Sequence, residues 1–448
     1  MTSLSTPANP DSPASPDSPA TGATPAPSPS SPARPASAGT GAGPPLSVAL
    51  VSEHASPLAT LGGVDAGGQN VHVAQLAGAL ADRGHRVTVY TRRDDSALPV
   101  SVPLRPGVLV HHVPAGPAEH LPKDELLPHM APFARYLAGL WRAEPPDVVH
   151  SHFWMSGLAA LWATRGTGVP LLHTYHALGT VKRRHQGAAD TSPPSRIRHE
   201  TDVGLGCDRV IATCRDEVEE LAAMGVARAK TDIVPCGVDP AVFRPDGPAA
   251  RRGAHRYSLL HLGRLVPRKG AAVSIAALAR LPEAELVISG GPPPDRIRED
   301  PEVRRLRGLA EEAGVADRVH FTGAVPAPAV PVLMRGADVV LCPADYEPFG
   351  IVPLEAMACG RPLVASAVGG QLDTVADGVN GLLVPPRDPG LLAAAVQRLL
   401  DDPGLRARYG RAGRDRVLAR YSWRSVAAAT EESYRAVRTT HAPLAGAL

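Results

Sequence analysis

The sequence is short of lysine, of paired cysteines and of long apolar runs, and each shortage removes a class of function. Its five cysteines, Cys207, Cys214, Cys236, Cys342 and Cys359, form no Cys-x-x-Cys pair and fall inside apolar stretches. That pattern excludes a disulfide framework and fits a reducing, cytoplasmic setting. No run approaches the roughly 20 apolar residues of a membrane span, so no transmembrane segment is expected. The first 44 residues are rich in Pro, Ser, Ala and Thr and carry neither a basic start nor an apolar signal core, so a disordered tail is expected there. Net charge is only +2 and the basic residues are scattered, which leaves no footprint for nucleic acid. A small anionic ligand remains open as a partner. Lysine occurs only as Lys123, Lys182, Lys230 and Lys269 beside abundant arginine. A lysine that persists in such a background is a candidate for a specific chemical role.

What is present is length and order. The 448 residues, 44% of them hydrophobic, suffice for two sizeable cores. From Leu46 onward the chain alternates short apolar runs with helical stretches: "LSVALVSE", "HRVTVYTRR", "GVLVHHV", "PDVVHSHFW", "VPLLHTYHA", "CDRVIATC" and "TDIVPCG". Val73, Leu76, Ala77 and Leu80 stand at i, i+3, i+4 and i+7, which predicts a helix after the first run. Several runs are apolar without alternation, as in a parallel sheet covered on both faces. A second series begins at Tyr257 with "YSLLHLGRLVPRKG" and continues through "AELVISGG", "DRVHFTGAV", "ADVVLCPADYE", "RPLVASAVGG" and "NGLLVPP". The expected class is α/β, with two Rossmann-like domains facing a cleft lined by the carboxyl ends of both sheets. The expected division is a tail over 1–44, a first domain over 45–240, a second over 241–420, and a crossing helix and tail over 421–448.

Three stretches carry chemistry. "GGVDAGG" at Gly62 to Gly68 follows a strand and opens a helix, so the backbone at Gly67 and Gly68 can approach an anion or a sugar hydroxyl. A plain strand-to-helix turn has the same composition. The second strand ends in Arg92 and Arg93 rather than in an acid, which lowers the case for NAD. "GRLVPRKG" places Arg264 and Lys269 just past a strand, where both cations can reach one diphosphate. In "DYEPFGIVPLE", Glu347 lies past the end of a strand and Pro353 suits the first turn of a helix, with Glu355 expected in that same turn. The free N–H groups of Phe349, Gly350, Ile351 and Val352 would then form an anion cradle. Glu355 can accept from both hydroxyls of a ribose, and Glu347 can reach a transferred sugar.

Glu347 and Glu355, with seven residues between them inside "EPFGIVPLEAMACGRPLVASAVGG", resemble the E-x7-E motif of retaining GT-B glycosyltransferases of family 4. "LGRLVPRKG" resembles the diphosphate loop of that family, and "GGQNVHVAQLAGALADRGHRVTVYTRR" its N-terminal region. The resemblance covers about Leu46 to Arg438 and is nearest to the D-inositol-3-phosphate glycosyltransferases and to sucrose or sucrose-phosphate synthase-like members. It implies a C-terminal helix returning toward the first domain, and hexosyl transfer with retention from UDP-glucose or UDP-N-acetylglucosamine to a small phosphorylated polyol or sugar such as inositol 3-phosphate. It implies no cofactor and no metal.

By the same resemblance, Arg264 and Lys269 stabilise the leaving diphosphate, Glu355 holds the ribose, Glu347 holds the donor sugar and His176 approaches that sugar from the first domain. Asn70, Lys123 and Arg196 fall at acceptor positions, while Phe153 and Ala177 stand where the inositol-phosphate enzymes have Tyr and Thr. The "VKRR" run with Lys182 offers replacement cations. A homodimer is left open.

Other readings remain. His150, His152, His173 and His176 invite a metal site, but carboxylates at ligand spacing are missing. "DYE" imitates the D-x-D of metal-dependent transferases, which are built on one nucleotide-binding domain rather than two. A sugar-nucleotide epimerase and a non-catalytic nucleotide-sugar binding protein are the rival functions.

Overall fold

The apolar runs become the strands of two sheets in the computed structural model, which describes residues 43–58 and 68–441. All of these described residues belong to one compact unit. The tail expected over 1–44 (save its last two residues), Gly67 with most of its loop, and residues 442–448 lie outside the described residues.

The first sheet has eight strands, in the spatial order Ser101–Arg105, Val108–Val113, Arg86–Arg92, Ser47–Val51, Val148–His152, Leu171–Thr174, Arg209–Ala212 and Thr231–Ile233. Every pairing is parallel except the first, where Ser101–Arg105 runs antiparallel to its neighbour. That strand is an addition to the expected set. It contains Pro103, which an edge strand tolerates because one of its sides needs no ladder donor. Val148–His152 is buried along its whole length, as a strand covered on both faces must be.

The second sheet has six parallel strands, in the order Val319–Gly323, Ala284–Ser289, Tyr257–Leu262, Val339–Cys342, Leu363–Ser366 and Leu382–Val384. In each sheet the first strand of the series lies inside, with later strands added on both sides. The strand order therefore reverses at Ser47–Val51 and at Tyr257–Leu262, and the crevice beyond such a reversal is where open α/β sheets bind ligands.

The last helix, Trp423–His441, crosses back to the first sheet. Its Trp423, Val426, Ala427, Tyr434 and Val437 share one core with Leu46, Leu50, Val73 and Leu76. The Val238 N–H donates to the Tyr421 carbonyl at 2.8 Å where the chain passes between the lobes. Opposite, the lobes touch through an ion pair of Arg215 with Asp373, a Cys214 Sγ contact to the Pro348 carbonyl at 3.2 Å, and the stacking of His185 on Tyr346 at 4.9 Å. All five cysteines are free and buried. Burial pushes the Cys207, Cys214 and Cys342 thiols up to about 12, so none of these is a thiolate at neutral pH.

Candidate active site

Two loops of the second lobe are stitched together at the cleft. Pro267–Lys269 forms a single 3₁₀ turn after strand Tyr257–Leu262 and ends on Gly270, whose φ of 78° is left-handed. A Cβ on Gly270 would stand 1.9 Å from the Pro343 carbonyl oxygen, so only glycine permits this approach. The Asp345 N–H donates to the Arg268 carbonyl at 2.8 Å, and Arg268 Nη1 donates to the Tyr346 carbonyl at 3.3 Å. This packing brings Lys269 Nζ into an ion pair with Glu347. Arg264 is exposed at the rim, at the start of the same loop.

Beyond Glu347 the chain turns into helix Ile351–Ala358, capped by Gly350 at a φ of 87°. Among the described residues no side chain caps this end, which leaves the first-turn N–H groups able to meet an anion. The helix starts at Ile351, which puts Glu355 in its second turn rather than the first. Its carboxyl is only partly exposed and has no hydrogen bond or ion pair among the described residues. Burial lifts that carboxyl from 4.5 to about 7.

Gly369 and Gly370, which have no side chain to mark them in the sequence, shape this region from behind. A Cβ on Gly369 would lie 2.2 Å from the Glu347 carbonyl oxygen, and one on Gly370 would lie 2.5 Å from the Phe349 backbone. The Gly370 N–H also donates to the Glu347 carbonyl at 3.0 Å. Their doublet in "AVGG" was the available signal.

On the facing lobe, Gly68, the first described residue of helix Gly68–Asp82, lies close enough that a Cβ there would stand 3.2 Å from Ile351 Cδ1. His176 follows strand Leu171–Thr174 with a left-handed φ of 61°, and its Nε2 is 3.0 Å from His152 Nδ1. Burial first, and the imidazoles of His72, His150, His173 and His54 next, hold His176 neutral at pH 7. His150 is bonded to Tyr434 and Thr174, and His173 to Ser151, so both belong to the core.

The expected acceptor residues divide. Phe153, at a φ of 78°, holds its ring beneath two cations, with Lys123 Nζ and the Arg196 guanidinium each 5.3 Å from the centroid. His54 meets the same ring edge-on at 4.8 Å and is oriented by Glu53 at 2.7 Å, a neighbour that sequence spacing did not suggest. Arg196 is buried and spends its donors on Glu200, Ser192 and the Ala177 carbonyl. Lys182 pairs with Asp190 at 2.8 Å, and Arg184 forms a two-pronged pair with Glu220. In the "VKRR" run, Lys182 and Arg184 are thus each paired with a carboxylate of the protein. Asn70 is buried, and its amide donates to the Ser56 carbonyl at 3.1 Å.

Two Rossmann-like lobes thus place a cation-bearing loop and a helix N-terminus opposite a histidine-lined wall, and comparison with known proteins identifies this arrangement as a GT-B glycosyltransferase. Residues 66–242 match the family described as Glycosyltransferase Family 4, and residues 250–416 that described as Glycosyl transferases group 1. The D-inositol 3-phosphate glycosyltransferase of Acidothermus cellulolyticus is 42% identical over 387 residues, covering 81% of this chain and 84% of that protein. Its counterpart in Mycolicibacterium smegmatis is 39% identical over 404 residues, covering 87% and 91%. Among solved structures, sucrose-phosphate synthase from Thermosynechococcus elongatus is similar with a TM-score of 0.77 at 34% identity, covering 88% of this chain and 99% of that one. Anabaena HepE in complex with UDP-glucose, at 20% identity and a TM-score of 0.66 over 87% and 100% of the two chains, shares the fold. The chain belongs to the group 1, family 4 glycosyltransferases and is an enzyme that uses a nucleotide-sugar donor.

Proposed function

We propose that the enzyme transfers a hexosyl group, with retention, from a UDP-sugar to inositol 3-phosphate or a closely similar phosphorylated polyol, with UDP-N-acetylglucosamine as donor. The observation that carries this reading is the 42% identity, over most of both chains, with a D-inositol 3-phosphate glycosyltransferase. The site supports it. Lys269 and Arg264 flank the place where diphosphate charge grows as the glycosidic bond breaks, and fixed cations help most where charge develops. The free N–H groups at Phe349 to Val352 add to the same stabilisation without a metal ion. Glu355, with no hydrogen-bond partner for its carboxyl among the described residues, accepts from the two ribose hydroxyls. Glu347 and His176 hold the donor sugar from opposite lobes. In this scheme the division near residue 240 separates an acceptor-side domain from a donor-side domain, since the first sheet ends at Ile233 and the second starts at Tyr257.

A specific observation favours a second acceptor. The Arg196 fork and Lys182 are both committed to protein acceptors, and Phe153 and Ala177 bring no hydroxyl to a phosphate. A sugar phosphate such as fructose 6-phosphate is the alternative, in keeping with the 34% identity to sucrose-phosphate synthase. The purified enzyme is tested with UDP-N-acetylglucosamine and UDP-glucose against inositol 3-phosphate, fructose 6-phosphate and their unphosphorylated forms. Turnover with inositol 3-phosphate well above the other acceptors supports the main reading. A preference for fructose 6-phosphate selects the second, and equal use of phosphorylated and neutral acceptors overturns both.

A further inference from the structure

Three histidines of the first lobe converge from separate elements. His72 comes from helix Gly68–Asp82, His152 ends strand Val148–His152, and His176 lies two residues past strand Leu171–Thr174. Each offers one ring nitrogen, and the three atoms lie within 4.8 Å of one another. The His152 and His176 rings stack at 5.2 Å, while His72 meets His176 edge-on at 4.9 Å. His72 and His152 are 5% and 0% exposed, and His72 Nδ1 has no hydrogen-bond partner among the described residues. Buried polar atoms left unpaired are rare in proteins and ask for an explanation. The surroundings are fixed: His150 packs on His152 at 4.2 Å and is itself held by Tyr434 and Thr174, and Trp423 meets His72 edge-on at 5.3 Å.

We propose that His72, His152 and His176 form a binding site for Zn²⁺ and related borderline ions, and that occupancy inhibits glycosyl transfer by taking His176 away from the donor sugar. The inhibition rests on the place given to His176 above; the binding does not. A neutral imidazole coordinates an ion through one ring nitrogen and keeps its proton on the other. Imidazole nitrogens suit Zn²⁺, Ni²⁺ and Cu²⁺, and with no carboxylate in the set Mg²⁺ and Mn²⁺ are poorly served. A tetrahedral Zn²⁺ with bonds of about 2.0 to 2.1 Å holds its ligand nitrogens about 3.3 Å apart. The His152 and His176 nitrogens, at 3.0 Å, already stand near that separation. Coordination replaces their mutual hydrogen bond, and the shared proton moves to the ring nitrogen that faces away from the ion. The fourth position is left to water.

The metal-free full chain is titrated with Co²⁺, followed by its d–d absorption, and then with Zn²⁺ as competitor, while transfer is assayed on the same samples. The expected result is one tetrahedral Co²⁺ displaced by Zn²⁺, with Zn²⁺ inhibition that EDTA reverses and Mg²⁺ does not mimic. His72→Gln is expected to keep metal-free transfer and to lose Zn²⁺ affinity by about tenfold or more. His72→Phe, which preserves the packing on Trp423, serves the same purpose if the glutamine variant fails to fold. Wild-type protein that binds no Co²⁺, or folded variants with unchanged Zn²⁺ affinity, overturns the site. Tight binding at this site without inhibition overturns only the inhibitory part and removes His176 from the donor sugar.

Discussion

Lys269 and Glu347 are joined by an ion pair that ties the loop after strand Tyr257–Leu262 to the loop after strand Val339–Cys342. Both side chains are largely shielded, 19% and 13% exposed. In the proposed donor site an incoming diphosphate would meet a lysine that already has a carboxylate partner, and the two anions would compete for it.

Lys269→Ala is expected to lower kcat on the order of a hundredfold, about 3 kcal/mol, while weakening donor binding less, because the cation matters most as diphosphate charge develops. Glu347→Gln removes the competing carboxylate, so UDP should bind more tightly while transfer falls. Calorimetric UDP titration beside steady-state kinetics separates the two effects. Wild-type turnover in Lys269→Ala refutes the assignment.

Donor binding should depend on pH through Glu355. Burial raises its carboxyl to about 7, and the ionised form is the stronger acceptor for the two ribose hydroxyls. Donor affinity is thus expected to fall as pH drops below 7, and the dependence should vanish in Glu355→Gln. The stability effect has the opposite sign. A carboxyl raised from 4.5 to about 7 by burial favours the folded state most below 4.5 and loses that contribution as pH rises through 7. Above pH 7, Glu355→Gln should melt higher than wild type.

Gly370→Ala forces a Cβ to within 2.5 Å of the Phe349 backbone, and Gly270→Ala adds a left-handed alanine at 1.9 Å from a carbonyl oxygen. Each is expected to cost on the order of 1 to 3 kcal/mol or more, read as a lower melting temperature, and to displace the donor loops. Full activity in both variants would show that these approaches do not set the site.

Transfer should persist in EDTA, since Lys269, Arg264 and a helix N-terminus stand where a divalent ion would otherwise act. Loss of activity on chelation, restored by Mn²⁺, would move Asp345 and Glu347 to the centre of the chemistry.

Much of the fold was legible in the sequence because parallel strands buried on both faces announce themselves as unbroken apolar runs, as "PDVVH" and "YSLLHL" do. Glu347 and Lys269 were readable because each follows such a run by a few residues. Ser101–Arg105 was not, because an edge strand with a central proline has neither an apolar run nor a clean alternation. The partners of Arg196 and Lys182 were equally hidden. Sequence shows that a cation is present but not that Glu200 and Asp190 fold back upon it. His72 could not be paired with His176 from the sequence, because only the packing of the first helix against the sheet brings them together.

The most direct measurement is the anomeric configuration of the product, read from the proton NMR spectrum after incubation with UDP-N-acetylglucosamine, an α-linked donor, and inositol 3-phosphate. The account predicts an α-glycoside, and no such product in Lys269→Ala at matched times. A β-linked product, or donor consumed with no glycoside formed on any phosphorylated acceptor, would contradict it.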